Sequence, residues 1–102
     1  AQLLGHVADA EPSSRSVREA LALALYDAGR YDEARDAFRD LVATDPVDHY
    51  ALFGYGLAAG RLGKHREAVE QLALAVAMRP DLKHYEQALR RARAALPGRR
   101  DA

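Results

Sequence analysis

In 102 residues, 49% of them apolar, the chain has material for one compact domain around a single core and too little for two. Fifteen Lys and Arg balance fifteen Asp and Glu, so the one-signed field of a nucleic-acid or anionic-membrane binder is absent. Cysteine is absent too, which excludes disulfides, thiol catalysis and thiolate metal sites and fits a reducing compartment, with the cytoplasm as the expected location.

The opening Ala1-Gln2-Leu3-Leu4 has neither the basic leader nor the long apolar run of a secretory signal. No apolar stretch approaches the roughly 20 residues of a membrane span, so no membrane contact is expected. The missing initiator Met points to a processed, truncated or incomplete chain, and abundant Ala with Arg exceeding Lys points to a GC-rich, bacterial genome. Residues 1–14 are expected to hold one helix and a linker, with Leu3, Leu4 and Val7 on a face that asks for cover from upstream residues or a neighbouring chain.

Val17, Leu21, Leu25 and Ala28 recur at three- and four-residue spacing, which predicts a helix over 15–28 with that stripe buried. Asp32 is placed to cap the next helix, whose buried stripe is Ala34, Ala37, Phe38, Leu41 and Val42 and whose stop is Asp45-Pro46. The same sequence of events follows. Leu52, Tyr55, Gly56, Ala59 and Leu62 mark a helix over 49–62, and Ala68, Val69, Leu72, Ala75 and Val76 mark its partner. After Pro80, Leu82, Tyr85, Leu89, Ala92 and Leu96 form a closing amphipathic helix over 83–96, ended by Pro97-Gly98, with a short polar tail over 97–102. Its other face carries Lys83, Glu86, Arg90, Arg91 and Arg93, as a water-facing terminal unit requires.

Gly29-Arg30-Tyr31-Asp32-Glu33-Ala34 returns as Gly63-Lys64-His65-Arg66-Glu67-Ala68, an offset of 34 residues that also relates Phe38 to Leu72, Leu41 to Ala75, and Pro12 to Pro46 to Pro80. A small, Leu-rich helix, a Gly-x-Tyr-x-Glu-Ala turn, an aromatic four residues on and then Asp-Pro is similar to the tetratricopeptide repeat, and the likeness covers nearly all the chain. Residues 15–48 and 49–82 then read as two complete repeats of a single domain. The slot that prefers Trp holds Arg18 and Leu52, the small slot Ala22 and Gly56, and the late Tyr slot Leu25 and Ala59. The resemblance implies an all-α fold, a right-handed superhelical stack of antiparallel helix pairs, and a protein-interaction function. Small Ala22 and Gly56, facing Ala34 and Ala68, are expected to let paired helices approach closely.

In this family the first helix of each pair lines the concave surface. That geometry implies a partner-binding groove with Leu23, Tyr26, Tyr50, Phe53 and Leu57 as an apolar floor and Glu19, Arg61, His84 and Arg91 around it, suited to a peptide or amphipathic helix. The competing reading is that some of these side chains pack against the adjacent repeat. The slots with which some family members grip a carboxylate tail hold Glu19, Leu23, Gly54, His84 and Ala88 here, so a carboxylate-clamp chaperone tail is not the expected partner.

Other chemistry finds little support. His6, His49, His65 and His84 lack metal-ligand spacing, and no cofactor is expected. Ser13, Ser14 and Ser16 read as turn and cap residues, and Gly54, Gly56 and Gly60 lie within a helix rather than a phosphate loop. The acidic residues Asp32, Glu33, Asp36, Asp40, Glu67 and Glu70 beside Arg35, Arg39 and Arg66 read as ordinary surface pairs, with no carboxyl in an apolar pocket to raise its pKa. The expectation is therefore a binding module and not an enzyme. The alternatives are self-association through the apolar first helix and groove stripe, giving a homo-oligomer, and, more remotely, nucleic-acid contact through Arg90, Arg91, Arg93, Arg99 and Arg100.

Overall fold

The computed structural model describes residues 13–97, and within them five helices and no strand: α1 (Ser13–Asp27), α2 (Tyr31–Thr44), α3 (His49–Arg61), α4 (His65–Met78) and α5 (Lys83–Ala94). The helix expected in residues 1–14 falls almost wholly outside the described residues, as do His6, Gly98, Arg99 and Arg100.

Two glycines make the hairpin turns. Gly29 and Gly63 adopt φ of 81° and 79°, left-handed values that a residue with a Cβ reaches only with strain. The chain then folds back on the helix end, so that the Arg30 N–H donates to Leu25 O and the Lys64 N–H to Ala59 O, both at 2.9 Å. These bonds satisfy carbonyls that the last turn leaves open. The turns are so tight that the next helix starts two residues after each glycine. Asp32 consequently does not cap α2. The N-cap position is Arg30, and Asp32 and Glu33 lie inside the first turn, where negative charge favours the positive end of the helix dipole. Between hairpins, Asp45-Pro46 ends α2 as its chemistry dictates, and Asp48 caps α3 by accepting from the Ala51 N–H at 3.1 Å.

Each helix packs on the next in the chain, and α1 also touches α3 while α3 touches α5. The odd-numbered helices thus form the close inner row and α2 and α4 the outer one. Phe38 and Leu41 of α2 fill the space between Ala22 of α1 and Ala51 and Tyr55 of α3. Leu72 of α4 packs with Ala88 and Leu89 of α5, and Leu52 of α3 with Ala75 and Tyr85. Close approach depends on missing side chains: a Cβ on Gly54 would sit 2.5 Å from the Phe38 ring, and one on Gly56 would sit 2.6 Å from Leu72 Cγ.

Two further expectations fail. Val17 and Leu21 are not buried but 49% and 60% exposed, and Ala28 is exposed as well; the core residue of α1 is Ala22, at 0%. Their spacing is helical, yet among the described residues no helix precedes α1 to cover that stripe. Nor are all the acidic residues of the outer helices engaged in local surface pairs. Glu67 of α4 is gripped from α2 by Arg35, whose Nε and Nη2 donate at 2.9 and 3.0 Å, and it also accepts from the Tyr55 hydroxyl of α3. This forked pair ties the two outer helices together across the repeat boundary.

Candidate functional site

The inner face of α1 and α3 is built by two helical periods brought into line. Leu23 and Tyr26 descend one face of α1, Tyr50, Phe53 and Leu57 one face of α3, and all five line one crevice of about 100 Å³ together with Asp27, Phe38 and Gly54. Gly54 has a plain role there. Without a side chain it leaves the Phe38 ring at the bottom of the crevice. Leu23 remains 43% exposed at the rim. Phe53 is held from the other side, stacked on Tyr85 at 4.4 Å between centroids and met edge-on by His84 at 5.3 Å. Tyr50 meets Phe38 edge-to-face at 6.1 Å, and burial, reinforced by the Glu19, Asp27 and Asp48 carboxylates, holds its hydroxyl above the ordinary phenol range.

A second crevice of about 250 Å³ adjoins the first, sharing Tyr26 and Leu57 and reaching Arg61, His65, Arg91 and Ala92. Arg61 is oriented by aromatic groups. Its Nε donates to the Tyr26 hydroxyl at 3.0 Å, and its Cζ lies 5.7 Å from the Tyr26 ring and 5.5 Å from the Tyr31 ring. The two tyrosines meet edge-on at 5.2 Å across the Gly29 turn.

Eight of the nine sequence-predicted residues therefore fall on this surface or against it: seven line the two crevices, and His84 backs Phe53. Glu19 lines neither crevice. It lies beside Arg15, 3.8 Å from Arg15 Nε, and close to the Asp48 carboxyl. Burial, with Asp48 as hydrogen-bond partner and neighbouring negative charge, pushes the Glu19 carboxyl up to about 7. Asp48 is held low despite its own burial, because Glu19, the Ala51 N–H and Arg15 all bond its ionised form. The two carboxyls thus move in opposite directions, Glu19 up and Asp48 down, through burial and a neighbouring acid rather than an apolar pocket. Arg15 completes the cluster, donating to Asp48 Oδ2 at 2.7 Å, Thr44 Oγ1 at 2.7 Å and Leu41 O at 2.9 Å.

Sequence reasoning missed Tyr31, Phe38 and Tyr85 as parts of this surface. Tyr31 carried a signal, since Tyr26 and Tyr31 flank the glycine turn; Phe38 and Tyr85 read as core and become groove components only because Gly54 and Phe53 expose or use them.

A stack of antiparallel helix pairs with an apolar, aromatic inner face is the architecture of an α-helical repeat solenoid. The sequence matches the Tetratricopeptide repeat family over residues 19–83, and the chain belongs to that family. Among solved structures, one mutant form of MamA is similar in fold at a TM-score of 0.70, with 24% identity over 94% of this chain and 75% of that one. A second mutant form of MamA is similar at a TM-score of 0.69, with 26% identity over 89% of this chain, which spans only 53% of that one. No curated protein matches. Tetratricopeptide repeats mediate protein–protein interaction or assembly, and among the described residues no helix is long and apolar enough to cross a membrane.

Proposed function

We propose that the chain is a protein-interaction module whose inner face receives an apolar side chain of a peptide or helical partner segment. The observation that carries this reading is the convergence of Leu23, Tyr26, Tyr50, Phe53 and Leu57, from two different helices, on one crevice with Phe38 at its base. An apolar side chain fully buried there contributes roughly 1.5–3 kcal/mol, enough to make it the anchor of a complex. Affinity capture with the wild type, Leu23→Glu and Phe53→Glu tests it, with Leu74→Glu, an exposed position on α4 outside the crevice, as control. Circular dichroism first establishes that all four are folded. Partners retained by the wild type and the Leu74 variant and lost by the other two support the groove; partners held equally by all four rule it out.

A second reading, self-association, rests on a different surface. Exposed Val17 and Leu21 adjoin a groove of about 310 Å³ formed by Leu21, Leu25, Ala37 and Leu41 with Arg18 and Asp40. A second copy seated on this end would bury that stripe. Light scattering across a concentration series decides it: a dimer that Leu21→Glu dissociates supports assembly, and a monomer throughout rules it out.

A further inference from the structure

The two adjoining crevices differ in charge, and that difference specifies a ligand. The larger has a floor of small groups, among them Gly56, Gly60, Ala88 and Ala92, and its basic lining is Arg61, His65 and Arg91, with no carboxylate. Other grooves on the surface are built differently. That between α4 and α5 sets Glu86 beside Arg90 and Arg93, that around Lys64 and Arg66 contains Glu67 and Glu70, and that under α1 sets Asp40 beside Arg18. Ion pairs among the described residues use Arg15, Arg30, Arg35, Arg39 and Arg79, and neither Arg61 nor Arg91 takes part in one. Arg61 is nevertheless held in place, by the Tyr26 hydroxyl and two aromatic rings, none of which neutralises it. The nearby carbonyl ends of α3 and α5 offer each arginine only about half a charge. One positioned guanidinium, Arg61, and a second, Arg91, on the same slot of small residues, without an acid of their own, make a receptor for an anionic side chain.

We infer that this slot holds an Asp or Glu side chain of the partner, placed next to the apolar residue that fills the smaller crevice. Tyr26 and Leu57 line both crevices, so the two subsites are contiguous and one short segment spans them. The inference rests on the groove reading above and adds a chemical requirement to it: an acidic peptide in which a carboxylate lies one or a few positions from an apolar anchor.

A randomised dodecapeptide library selected on the immobilised full chain tests the inference, followed by fluorescence-polarisation titration of the enriched peptides. Enriched peptides are expected to pair an apolar residue with Asp or Glu at short spacing. Exchanging that acid for its amide is expected to weaken binding to the wild type about tenfold, the size of one charge-assisted hydrogen bond. The same exchange should have a smaller effect with Arg91→Gln and none with Arg61→Gln/Arg91→Gln, both exposed positions. Enriched peptides that lose binding to Leu23→Glu but carry no acid, or whose amide forms bind the wild type equally, overturn the slot while leaving the groove standing. Failure to enrich any peptide that Leu23→Glu discriminates overturns both. A phosphoserine replacing the acid and binding at least about tenfold tighter would assign the slot to phosphorylated segments instead and overturn the carboxylate assignment.

Discussion

The α1–α2 and α3–α4 hairpins share a 34-residue register but bury it differently. On the second helices the equivalents agree: Ala34 and Ala68, Phe38 and Leu72, Leu41 and Ala75 are all buried. On the first helices they diverge, since Val17 and Leu21 stand exposed where Ala51 and Tyr55 are 0% and 7% exposed. The reason is the count of neighbours. Helices α2, α3 and α4 each lie between two others, whereas α1 has, among the described residues, none before it. In a quasi-one-dimensional stack, what a position buries is decided by the adjoining helix as much as by its own residue. One structural role survives the divergence. Arg15 of α1 reaches Asp48 at the head of α3, and its register equivalent His49, through Nδ1, meets the Tyr85 hydroxyl of α5 at 2.7 Å, so both fasten the start of one first helix to the start of the next.

The comparison breaks most sharply at Phe38 and Leu21. Phe38→Ala empties a site filled from three helices and is expected to cost about 3–5 kcal/mol, whereas Leu21→Ala should stay within about 0.5 kcal/mol of the wild type. Urea unfolding followed by circular dichroism measures both, and a large loss at Leu21 would mean that this stripe is covered after all. Next in size is a pair of glycines on α3. Gly54→Ala drives a methyl into the Phe38 ring and is expected to lose about 1–3 kcal/mol. Gly60→Ala meets only Ala68 Cβ, at 3.8 Å, and should gain up to about 1 kcal/mol from helix propensity. Equal effects at the two positions would show that packing at Gly54 relaxes without cost.

Local chemistry makes much of this architecture legible. The 34-residue period, the glycine turns and the proline stops lie within short windows of sequence, and the second-helix stripes follow from them. What stays hidden depends on partners far apart in the chain. Glu19 reads as a solvated rim residue until α3 brings Asp48 beside it, and Arg35 reads as part of a surface pair until Glu67 arrives from 32 residues away. Val17 and Leu21 mislead for the converse reason: periodicity reports that a face is apolar and says nothing of whether a neighbour is present. The groove residues follow from helix phase, but Phe38 becomes part of the surface only because one side chain, at Gly54, is absent.

The Glu19–Asp48 pair sharpens the comparison through pH, because among the described residues the first hairpin alone has such a pair at its junction. Glu19 has an ordinary value near 4.5 and is pushed up to about 7 in the fold, so between those values the folded chain binds the extra proton. Stability therefore falls as pH rises from about 4.5 to about 7, and the contribution is complete only below that window. The Glu19 side chain is 26% exposed, as is that of its neighbour Arg15. Solvent screening then brings the expected change to the order of 1–2 kcal/mol. Glu19→Gln should flatten this part of the stability profile and raise stability at about pH 8, whereas a profile unchanged by the substitution would place the proton elsewhere.

The smallest expected effect belongs to the clasp between the outer helices. Arg35, by hydrogen bonding and charge, together with the Tyr55 hydroxyl, holds the Glu67 carboxyl below its ordinary range although burial opposes this. The sign is opposite to that of Glu19: the folded chain releases this proton more readily than the unfolded one. Its contribution is full above about 4.5 and disappears as pH falls through the lower folded value. A double-mutant cycle of Arg35→Gln and Glu67→Gln is expected to give a coupling of about 1 kcal/mol at about pH 7, at the upper end for partly exposed pairs because the contact is forked. At about pH 3 the coupling should be markedly smaller. Coupling that persists undiminished in acid would show that the clasp acts through packing of the Arg35 stem against α4 rather than through its charge.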